Sequence, residues 1–392
     1  MLRVLHINDK IEVSGGVEVY VYQLLELAPA YDITMDLIGL SRHDGDSLIV
    51  TEIDREQFVW DKHNWKSRLS ERIDQADILH LHSISDPGLI RWLASRKPIV
   101  RSMHEPRMIC PGQGKFWRFS ETVCNKVYGL HCFKHAYTQG CCNRSPGRLL
   151  KSYRNVRFET TKAQKAYRSV IVMSEYMRKE SVKAGIPDSL LSLNPYFTPL
   201  VEPNSRSEHS GKKRLLFVGR LSLTKGVHYF IKLGIELLRK GFEVEMDIIG
   251  DGMDREFLER MVPEEYAADF HFKGWKNGDE IDSAIRDSYL VIFPSIYPEA
   301  FGIVGLEAMV RGIPVVGFDV GGVSTWLHDG ITGYLVSPKN ERMLFDKTVE
   351  LLSNEVLYKR MSKEGSRLVR EQFNPERHLL QLKKEYKKAC NG

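Results

Sequence analysis

Two basic residues follow an apolar run of strand length in the C-terminal half of the chain. Val218-Gly219-Arg220 ends that run, and Lys225-Gly226 opens a helix-like segment shortly after it. Arginine presents a planar fork of donors and lysine a mobile point charge, so both suit a pyrophosphate group held at a helix N-terminus. The alternative is a basic turn with an ordinary capping glycine.

Two carboxylates, Glu299 and Glu307, stand eight positions apart farther along the chain. We expect Glu299 in the loop after a strand and Glu307 on the following helix, which we expect to begin near Phe301. An ionised carboxylate only accepts hydrogen bonds, so Glu307 suits a ribose diol and Glu299 the hydroxyls of a sugar. The alternative for either residue is a solvent-facing charge. The helix amides expected to lack an acceptor, and so to bind phosphate oxygens, are those of Gly302, Ile303 and Val304.

Alternating strands and helices must position these residues. Runs of strand length, rich in Val and Ile, lie at 2–8, 32–40, 76–82, 98–104 and 169–174. A polar, proline-containing linker follows at 195–213, and further runs lie at 214–220, 244–250, 270–275, 290–295, 313–318 and 333–336. The alternation predicts an α/β fold with two Rossmann-like, doubly wound parallel sheets. We expect domains at 1–195 and 212–374 that face each other across a cleft. The terminal helix at 375–392 is a candidate to cross back to the first domain.

The two constellations together resemble the retaining glycosyltransferases of family 4, which have the two-domain GT-B architecture. The residues that carry the resemblance are Gly219-Arg220-x4-Lys225-Gly226, Glu299-x7-Glu307 with Phe301-Gly302, Ile249-Gly250-Asp251-Gly252, Phe272-Lys273-Gly274-Trp275, Gly321-Gly322 and Asp329-Gly330-x2-Gly333. The resemblance implies that a nucleotide base lies near Gly274 and Trp275. In the first half it is looser and rests on Ser14-Gly15-Gly16-Val17-Glu18, where the family sets the glycine pair Gly15 and Gly16 against the donor diphosphate.

Histidines end two strands of the first half, in His80-Leu81-His82 and at His104. A lone histidine at a strand end is more often a structural hydrogen-bonding residue. The resemblance nevertheless places His104 at a family position that contacts the donor sugar and supports catalysis. The predicted catalytic set is therefore His104, Arg220, Lys225 and Glu299.

Retaining transfer through a glycosyl-enzyme would need a carboxylate nucleophile. The resemblance implies instead that the acceptor hydroxyl attacks the face that the leaving diphosphate vacates, while Arg220 and Lys225 neutralise the leaving group. Asp44-Gly45-Asp46 spells the Asp-x-Asp of metal-dependent transferases, but it lies in a polar loop far along the chain from the donor motifs. We therefore expect a UDP- or GDP-sugar donor and no catalytic metal.

Five of the six cysteines cluster in a basic insertion at about 105–150. Candidate ligands of a structural zinc ion are Cys110, Cys124, Cys132 and Cys141, with Cys142 as an alternative to the last. Because the spacing lacks a Cys-x2-Cys pair, buried free thiols or a disulfide pair are equally open. A cytosolic location disfavours disulfides.

Composition adds expectations about location and partners. A chain of 392 residues, 42% hydrophobic, can bury two domain cores. No run approaches the roughly 20 apolar residues of a membrane-spanning helix, and the N-terminus enters a strand without a signal peptide, so we expect the cytoplasm. Net charge is +5, but residues 91–154 hold 13 Lys and Arg against Glu105 and Glu121. This segment suits an anionic membrane surface or a phosphorylated acceptor, or is a solvated basic face.

The sequence thus predicts a retaining, metal-independent glycosyltransferase that moves a sugar from a nucleoside diphosphate sugar to a glycan, polysaccharide or lipid-linked acceptor. We expect a peripheral position at the inner face of a membrane and no nucleic-acid partner. The alternatives are a nucleotide-sugar epimerase of the same architecture and a non-catalytic nucleotide-sugar-binding protein.

Overall fold

The computed structural model describes residues 1–9, 15–42, 48–52, 57–60, 65–202 and 211–391. The chain divides into two compact units. The first unit comprises Met1–Phe119, Cys124–Tyr196 and Pro375–Gly392, and the second comprises Ser120–Val123 and Phe197–Asn374. Part of the polar linker, residues 203–210, lies outside the described residues.

The strands are β1 Leu2–Asn8, β2 Ile33–Arg42, β3 Leu48–Glu52, β4 Gln57–Trp60, β5 Ile78–Leu81, β6 Ile99–Met103, β7 Phe116–Trp117, β8 Thr122–Val123, β9 Ser169–Val172, β10 Leu191–Leu193, β11 Lys213–Val218, β12 Val244–Ile249, β13 Phe270–Phe272, β14 Leu290–Phe293, β15 Val315–Phe318 and β16 Gly333–Val336. The α-helices are α1 Gly16–Leu27, α2 Trp65–Gln75, α3 Pro87–Ala94, α4 His131–Thr138, α5 Pro146–Ala166, α6 Glu175–Lys183, α7 Val227–Arg239, α8 Arg255–Glu259, α9 Gly278–Asp287, α10 Ile303–Val310, α11 Glu341–Ser353, α12 Glu355–Gln372 and α13 Pro375–Asn391.

The first unit is built on a sheet with the strand order β10-β9-β6-β5-β1-β2-β3-β4. The pairings from β10 to β2 are parallel, whereas β3 and β4 extend the sheet antiparallel. Strands β5, β6 and β9 are buried along their whole length, which matches their continuous apolar sequences, since helices cover both faces of a parallel sheet. The eleven strands predicted from apolar runs are present, and the sequence analysis missed β3, β4 and β10 of this sheet and the two-residue strands β7 and β8.

The second unit is built on an all-parallel sheet with the order β13-β12-β11-β14-β15-β16. The order in which strands are added to the sheet reverses at β11, because β12 lies on one side of β11 and β14 on the other. In doubly wound sheets a ligand site forms at such a switch point, beyond the carboxyl ends of the strands. The prediction of two doubly wound α/β sheets is confirmed, and the loops after β11 and β14 are where a site is expected.

The terminal helix α13 belongs to the first unit. Its buried residues follow helical spacing along one face, and they are His378, Leu379, Leu382, Glu385, Tyr386 and Ala389. Two of them make polar contacts with the sheet: the Glu385 carboxylate accepts from Ser169 Oγ at 2.8 Å, and the Tyr386 hydroxyl lies 2.6 Å from His80 Nδ1. Within the described residues, no helix combines the length and the apolar composition that crossing a membrane requires.

Candidate functional site

Lys225 and Glu299 meet at the switch point of the second sheet. Lys225 ends a short 3-10 turn after β11, and Glu299 lies in the loop after β14, the neighbouring strand. Lys225 Nζ donates to Glu299 Oε1 at 2.7 Å, and Ser295 Oγ donates to the same oxygen at 2.6 Å. The side chains are 34% and 11% exposed, respectively. The two predicted catalytic residues therefore form one partly shielded ion pair, in which the lysine keeps donors free for a further anion.

Close backbone contacts hold these two loops together. Gly226 has a φ of +75°, and a Cβ atom there would lie 1.7 Å from the Pro294 carbonyl oxygen. Gly321, with a φ of +57°, lies directly beneath Glu299, and the Gly322 amide donates to the Glu299 carbonyl at 2.7 Å. Glycine is required at both positions because the backbone is left-handed and no side chain fits. These contacts explain the glycines that follow Lys225 and precede Val323 in the sequence.

Helix α10 begins at Ile303, two residues after the predicted start, with Gly302 as its N-cap at a φ of +100°. Among the described residues, none accepts a hydrogen bond from the amides of Gly302, Ile303 or Val304. These amides form the positive end of an eight-residue helix, which favours an anion. Phe301 is buried, and its carbonyl accepts from Trp326 Nε1 at 2.7 Å, so its side chain serves the core. A direct ligand contact of Phe301 stays a prediction.

Glu307 lies on α10, half-buried, one turn beyond the free amides. Its neighbour Arg311 pairs with Asp282 and donates to the Glu307 backbone carbonyl at 2.6 Å. Within the described part of the chain, the Glu307 carboxylate has no hydrogen-bond or salt-bridge partner. Burial raises the pKa of Glu307, against an opposing effect from Arg311. A poorly solvated carboxylate without a partner is a strong acceptor for ligand hydroxyls, because their hydrogen bonds would replace the solvation it has lost.

Arg220, Gly219, Gly274 and Trp275 lie at the ends of β11 and β13. The Arg220 side chain is exposed, and its guanidinium pairs with no residue that the structure describes. The strand ends are held together through Gly250, whose amide donates to the Gly274 carbonyl at 2.8 Å and whose Cβ would lie 1.9 Å from the Gly219 carbonyl oxygen. Trp275 is 62% exposed beside them. The expected contact with a nucleotide base stays a prediction.

In the first unit, Gly15 caps helix α1 in an extended conformation, and Gly16 is the first helical residue. A Cβ atom on Gly15 would lie 3.5 Å from the buried Glu18 carboxylate, which is an ordinary contact. The adjacent Ser14 lies outside the described residues, as does Asp44-Gly45-Asp46. The roles predicted from these segments, a diphosphate contact for the glycine pair and no metal role for the acidic triplet, stay predictions.

The strand-end histidines of the first unit form a buried hydrogen-bonded chain. His6 Nδ1 lies 2.9 Å from His82 Nε2, His82 Nδ1 lies 2.8 Å from His104 Nε2, and His104 Nδ1 lies 2.5 Å from the Tyr196 hydroxyl. Both ring nitrogens of His104 are therefore engaged within the unit. Burial, together with Arg101 and Arg107, lowers the pKa of His104 to about 3, so its ring is neutral at physiological pH.

Sequence analysis missed two members of this chain, His6 and Tyr196. His6 lies inside β1, where alternation with apolar residues is the available signal, and Tyr196 follows the last strand of the unit. Among the described residues, one trio of possible metal ligands has its atoms within 4.8 Å of one another, namely His6, His80 and His82. His80 already bonds Ser102 and Tyr386 through its two nitrogens, whereas His6 Nε2 is buried without a hydrogen-bond partner among the described residues.

The five cysteines of the insertion all lie around one small cavity. In the described structure none of them forms a disulfide. The predicted ligands Cys110, Cys124, Cys132 and Cys141 are thus brought together, with Cys142 beside them.

Two protein-family models match the chain. Residues 14–195 match the model "Glycosyltransferase Family 4", and residues 202–368 match "Glycosyl transferases group 1". The α-D-kanosaminyltransferase of Streptomyces kanamyceticus is 36% identical over 155 residues, which is 39% of this chain and 40% of the relative. The poly(ribitol-phosphate) α-N-acetylglucosaminyltransferase of Staphylococcus aureus is 22% identical over 284 residues, or 71% of this chain and 54% of the relative. For the first three curated relatives, the matched segments span 40%, 33% and 48% of their length.

Solved structures match over nearly the whole chain. HepE of Anabaena, in complex with UDP and glucose, has a TM-score of 0.69 at 15% identity, covering 98% of this chain and 99% of HepE. A variant of TarM from Staphylococcus aureus, in complex with α-GlcNAc-glycerol and UDP among other ligands, has a TM-score of 0.71 at 13% identity, covering 98% and 100%. At these identities the likeness shows the fold, and the expected GT-B architecture is confirmed.

Proposed function

From the two family models that match the two halves of the chain, we propose that it is a family 4 glycosyltransferase, which transfers a sugar, with retention of configuration, from a nucleoside diphosphate sugar to a glycan, polysaccharide or lipid-linked acceptor. The single observation that carries the proposal is the Lys225–Glu299 ion pair at the switch point of the second sheet, close in sequence to the free amides of α10. UDP in the HepE and TarM complexes supports a uridine nucleotide as the donor.

We assign separate tasks to the residues of the second unit. Arg220, Lys225 and the amides of Gly302 to Val304 bind the diphosphate, because they are donors without a full set of acceptors. Glu307 accepts from the ribose hydroxyls, and the second carboxylate oxygen of Glu299 accepts from hydroxyls of the sugar. Trp275 and Gly274 flank the base.

Transfer requires one bond to break and one to form at the anomeric carbon. The bond from that carbon to the diphosphate oxygen breaks, and the acceptor oxygen bonds on the same face. A diphosphate oxygen takes the acceptor proton. Arg220 and Lys225 neutralise the charge that develops on the leaving group, so the reaction proceeds without a catalytic metal. His104, held by His82 and Tyr196, keeps its predicted role at the donor sugar as part of this proposal.

The acceptor is assigned only by class. The relatives are named for transfer to poly(ribitol phosphate), poly(glycerol phosphate) and 2-deoxystreptamine, which share hydroxyl groups on a polar, charged body. The basic segment 91–154 suits a phosphate-containing acceptor or an anionic membrane surface.

The test begins with binding of UDP- and GDP-sugars to the full chain, followed by thermal unfolding. The correct donor at 100 times its Kd stabilises the fold by about 2.7 kcal/mol. Glu307→Gln weakens that binding, whereas Glu341→Gln, an exposed carboxylate paired with Lys232, leaves it unchanged. Release of an epimer without acceptor would favour an epimerase, and binding without transfer or hydrolysis would favour a binding protein.

Turnover tests the basic pair. Lys225→Ala or Arg220→Ala lowers kcat by roughly 100- to 1,000-fold, the usual cost of losing one partner of developing charge. Lys232→Ala, on helix α7, which follows Lys225 in the chain, is the matched control. Transfer at the wild-type rate in the Arg220→Ala, Lys225→Ala double variant would refute the assignment. Loss of transfer in EDTA, restored by Mg²⁺ or Mn²⁺, would refute metal independence.

A further inference from the structure

The insertion between β6 and α5 has few buried apolar residues after Phe116. Of residues 117–145, only Ala136 and Gly140 are buried, and regular structure is limited to the short helix α4, strand β8 and the end of strand β7. Fixing the backbone costs about 1–2 kcal/mol per residue, which burial this sparse does not offset. Small segments of this kind are usually stabilised by a metal ion or by disulfides.

Five thiols converge within this segment. Cys110, Cys124, Cys132, Cys141 and Cys142 are all half-buried and line one cavity of about 20 Å³, room for a single water molecule or ion. Cys141 Sγ and Cys142 Sγ are 3.7 Å apart. Two thiolates of a tetrahedral zinc site, each about 2.3 Å from the ion, are separated by about 3.8 Å. This pair has that spacing. No three of the described cysteine sulfurs lie within 4.8 Å of one another, so the other side chains must turn inward to complete a tetrahedron.

Backbone amides of the segment donate hydrogen bonds to two of the cysteine sulfurs. The amides of Gly112 and Lys115 donate to Cys110 Sγ, and the Gly129 amide donates to Cys132 Sγ. Gln113 and Lys115 have left-handed φ values of 64° and 48°, which non-glycine residues seldom adopt. Two amides that donate to one sulfur stabilise a thiolate, as oriented amides do in other anion sites.

Cations compensate for the charge that several thiolates would bring. Lys115 and Lys126 also line the cavity. Lys115 is buried, pairs with Glu180 at 2.5 Å, and donates to the Lys126 carbonyl at 2.9 Å.

We propose that Cys110, Cys124, Cys132 and one of the Cys141–Cys142 pair bind a structural zinc ion that orders the insertion. Sulfur ligands select zinc over magnesium or calcium. Five thiols form at most two disulfides and leave one cysteine unpaired. Four of them complete a tetrahedral zinc site, which also leaves one cysteine. This site is independent of the donor-binding residues of the second unit.

The experiment measures metal content in the full chain purified under reducing conditions. Wild type carries one zinc ion per chain, and Cys390→Ser, which alters an exposed cysteine outside the cluster, retains it. Cys132→Ser and Cys110→Ser reduce the zinc content to well below stoichiometric. Chelation of wild type exposes residues 117–148 to limited proteolysis, and added zinc restores protection.

A second measurement keeps the test valid if the serine variants fail to fold. Cobalt added to metal-free wild type gives the intense visible absorption of a tetrahedral thiolate site, and zinc abolishes it. Substoichiometric zinc together with six freely titratable thiols in the native protein would overturn the proposal. So would a disulfide between any two of the five cysteines in protein isolated without reductant.

Discussion

The two units place polar residues at the ends of parallel strands in opposite ways. In the second unit, Arg220, Lys225 and Glu307 keep hydrogen-bonding groups that the described protein does not satisfy. In the first unit, His82 and His104 satisfy each other and Tyr196, and their rings are neutral. The same sequence pattern, a polar residue after an apolar strand, thus yields loops with unsatisfied hydrogen-bonding groups in one unit and a hydrogen-bonded network in the other.

The difference lies in which elements cover the strand ends. In the loops after β11 and β14, glycines allow backbone to pack directly against backbone, and the side chains lie outside these contacts. Around the histidines, aromatic residues distant in sequence supply hydroxyl partners, including Tyr196 and, from α13, Tyr386. A buried polar group needs such partners, because an unsatisfied one costs about 1–3 kcal/mol.

The largest effect is expected where backbone contacts position the donor loops. Gly226→Ala would place a Cβ atom 1.7 Å from the Pro294 carbonyl oxygen on a backbone with a φ of +75°. We expect a loss of about 4 kcal/mol in the free energy of unfolding, because strain and overlap add. Chemical denaturation measures this loss.

Gly241→Ala is the matched control for that change. Its φ is +82°, but a Cβ atom there meets nothing within 4 Å, so only the strain of about 1 kcal/mol remains. Equal losses for the two variants would show that the contact with Pro294 does not hold the loop, and the comparison between the units would fail.

The sequence predicted the fold of the second unit well because its signals are local. Strands and glycine turns follow from hydrophobic runs and short motifs, and the roles of the four charged residues stay predictions. The interaction of Lys225 with Glu299 was not predicted, because the two belong to different motifs and only the sheet order brings them together. The antiparallel strands β3 and β4 are short, and the sequence analysis did not identify them.

The first unit was predicted less well because its network depends on long-range pairing. The role of His104 at a sugar stays a prediction. A sequence pattern does not reveal that Tyr196 and His82 lie within hydrogen-bonding distance of its two ring nitrogens. In the sequence, the cysteine cluster was apparent only because five cysteines lie close together along the chain. Its arrangement around one cavity depends on the left-handed turn at Gln113 and Lys115.

The next largest effect is on stability at acidic pH, which should fall more in the first unit than in the second. Burial lowers the pKa of His6 and His104 to about 3 and that of His378 to about 4, and the pKa values of His80 and His82 are lowered as well. Below the unfolded value of 6.5 the unfolded chain binds more protons than the folded one, so stability falls as the pH falls. The first three histidines together remove about 3 kcal/mol between pH 6.5 and 5.5.

Neighbouring charges change how steeply the free energy of unfolding falls with pH. The buried Arg101 makes the fall steeper, because it disfavours protonation of His104. Glu159 makes it shallower, because burial raises the pKa of its carboxyl. Denaturation at several pH values, followed by pulse-labelled hydrogen exchange at one fixed labelling pH, resolves peptides of each unit. Strands β1, β5 and β6 should lose protection at a lower denaturant concentration at pH 5.5 than at 7, while β11 and β14 change little. Equal shifts in both units would contradict the expected asymmetry.

The smallest effect tests whether the histidine chain is structural at its outer end. Tyr196→Phe removes the hydroxyl that lies 2.5 Å from His104 Nδ1 and leaves that nitrogen without this partner. We expect a loss of about 1 kcal/mol in unfolding free energy, the usual cost of one such bond, and a changed ¹⁵N chemical shift of His104. Tyr22→Phe, on α1, is the control, because the described residues offer its hydroxyl no hydrogen bond. An unchanged His104 signal would mean that Tyr196 does not orient the ring, and His104 would then be free to contact a ligand as the charged residues of the second unit are.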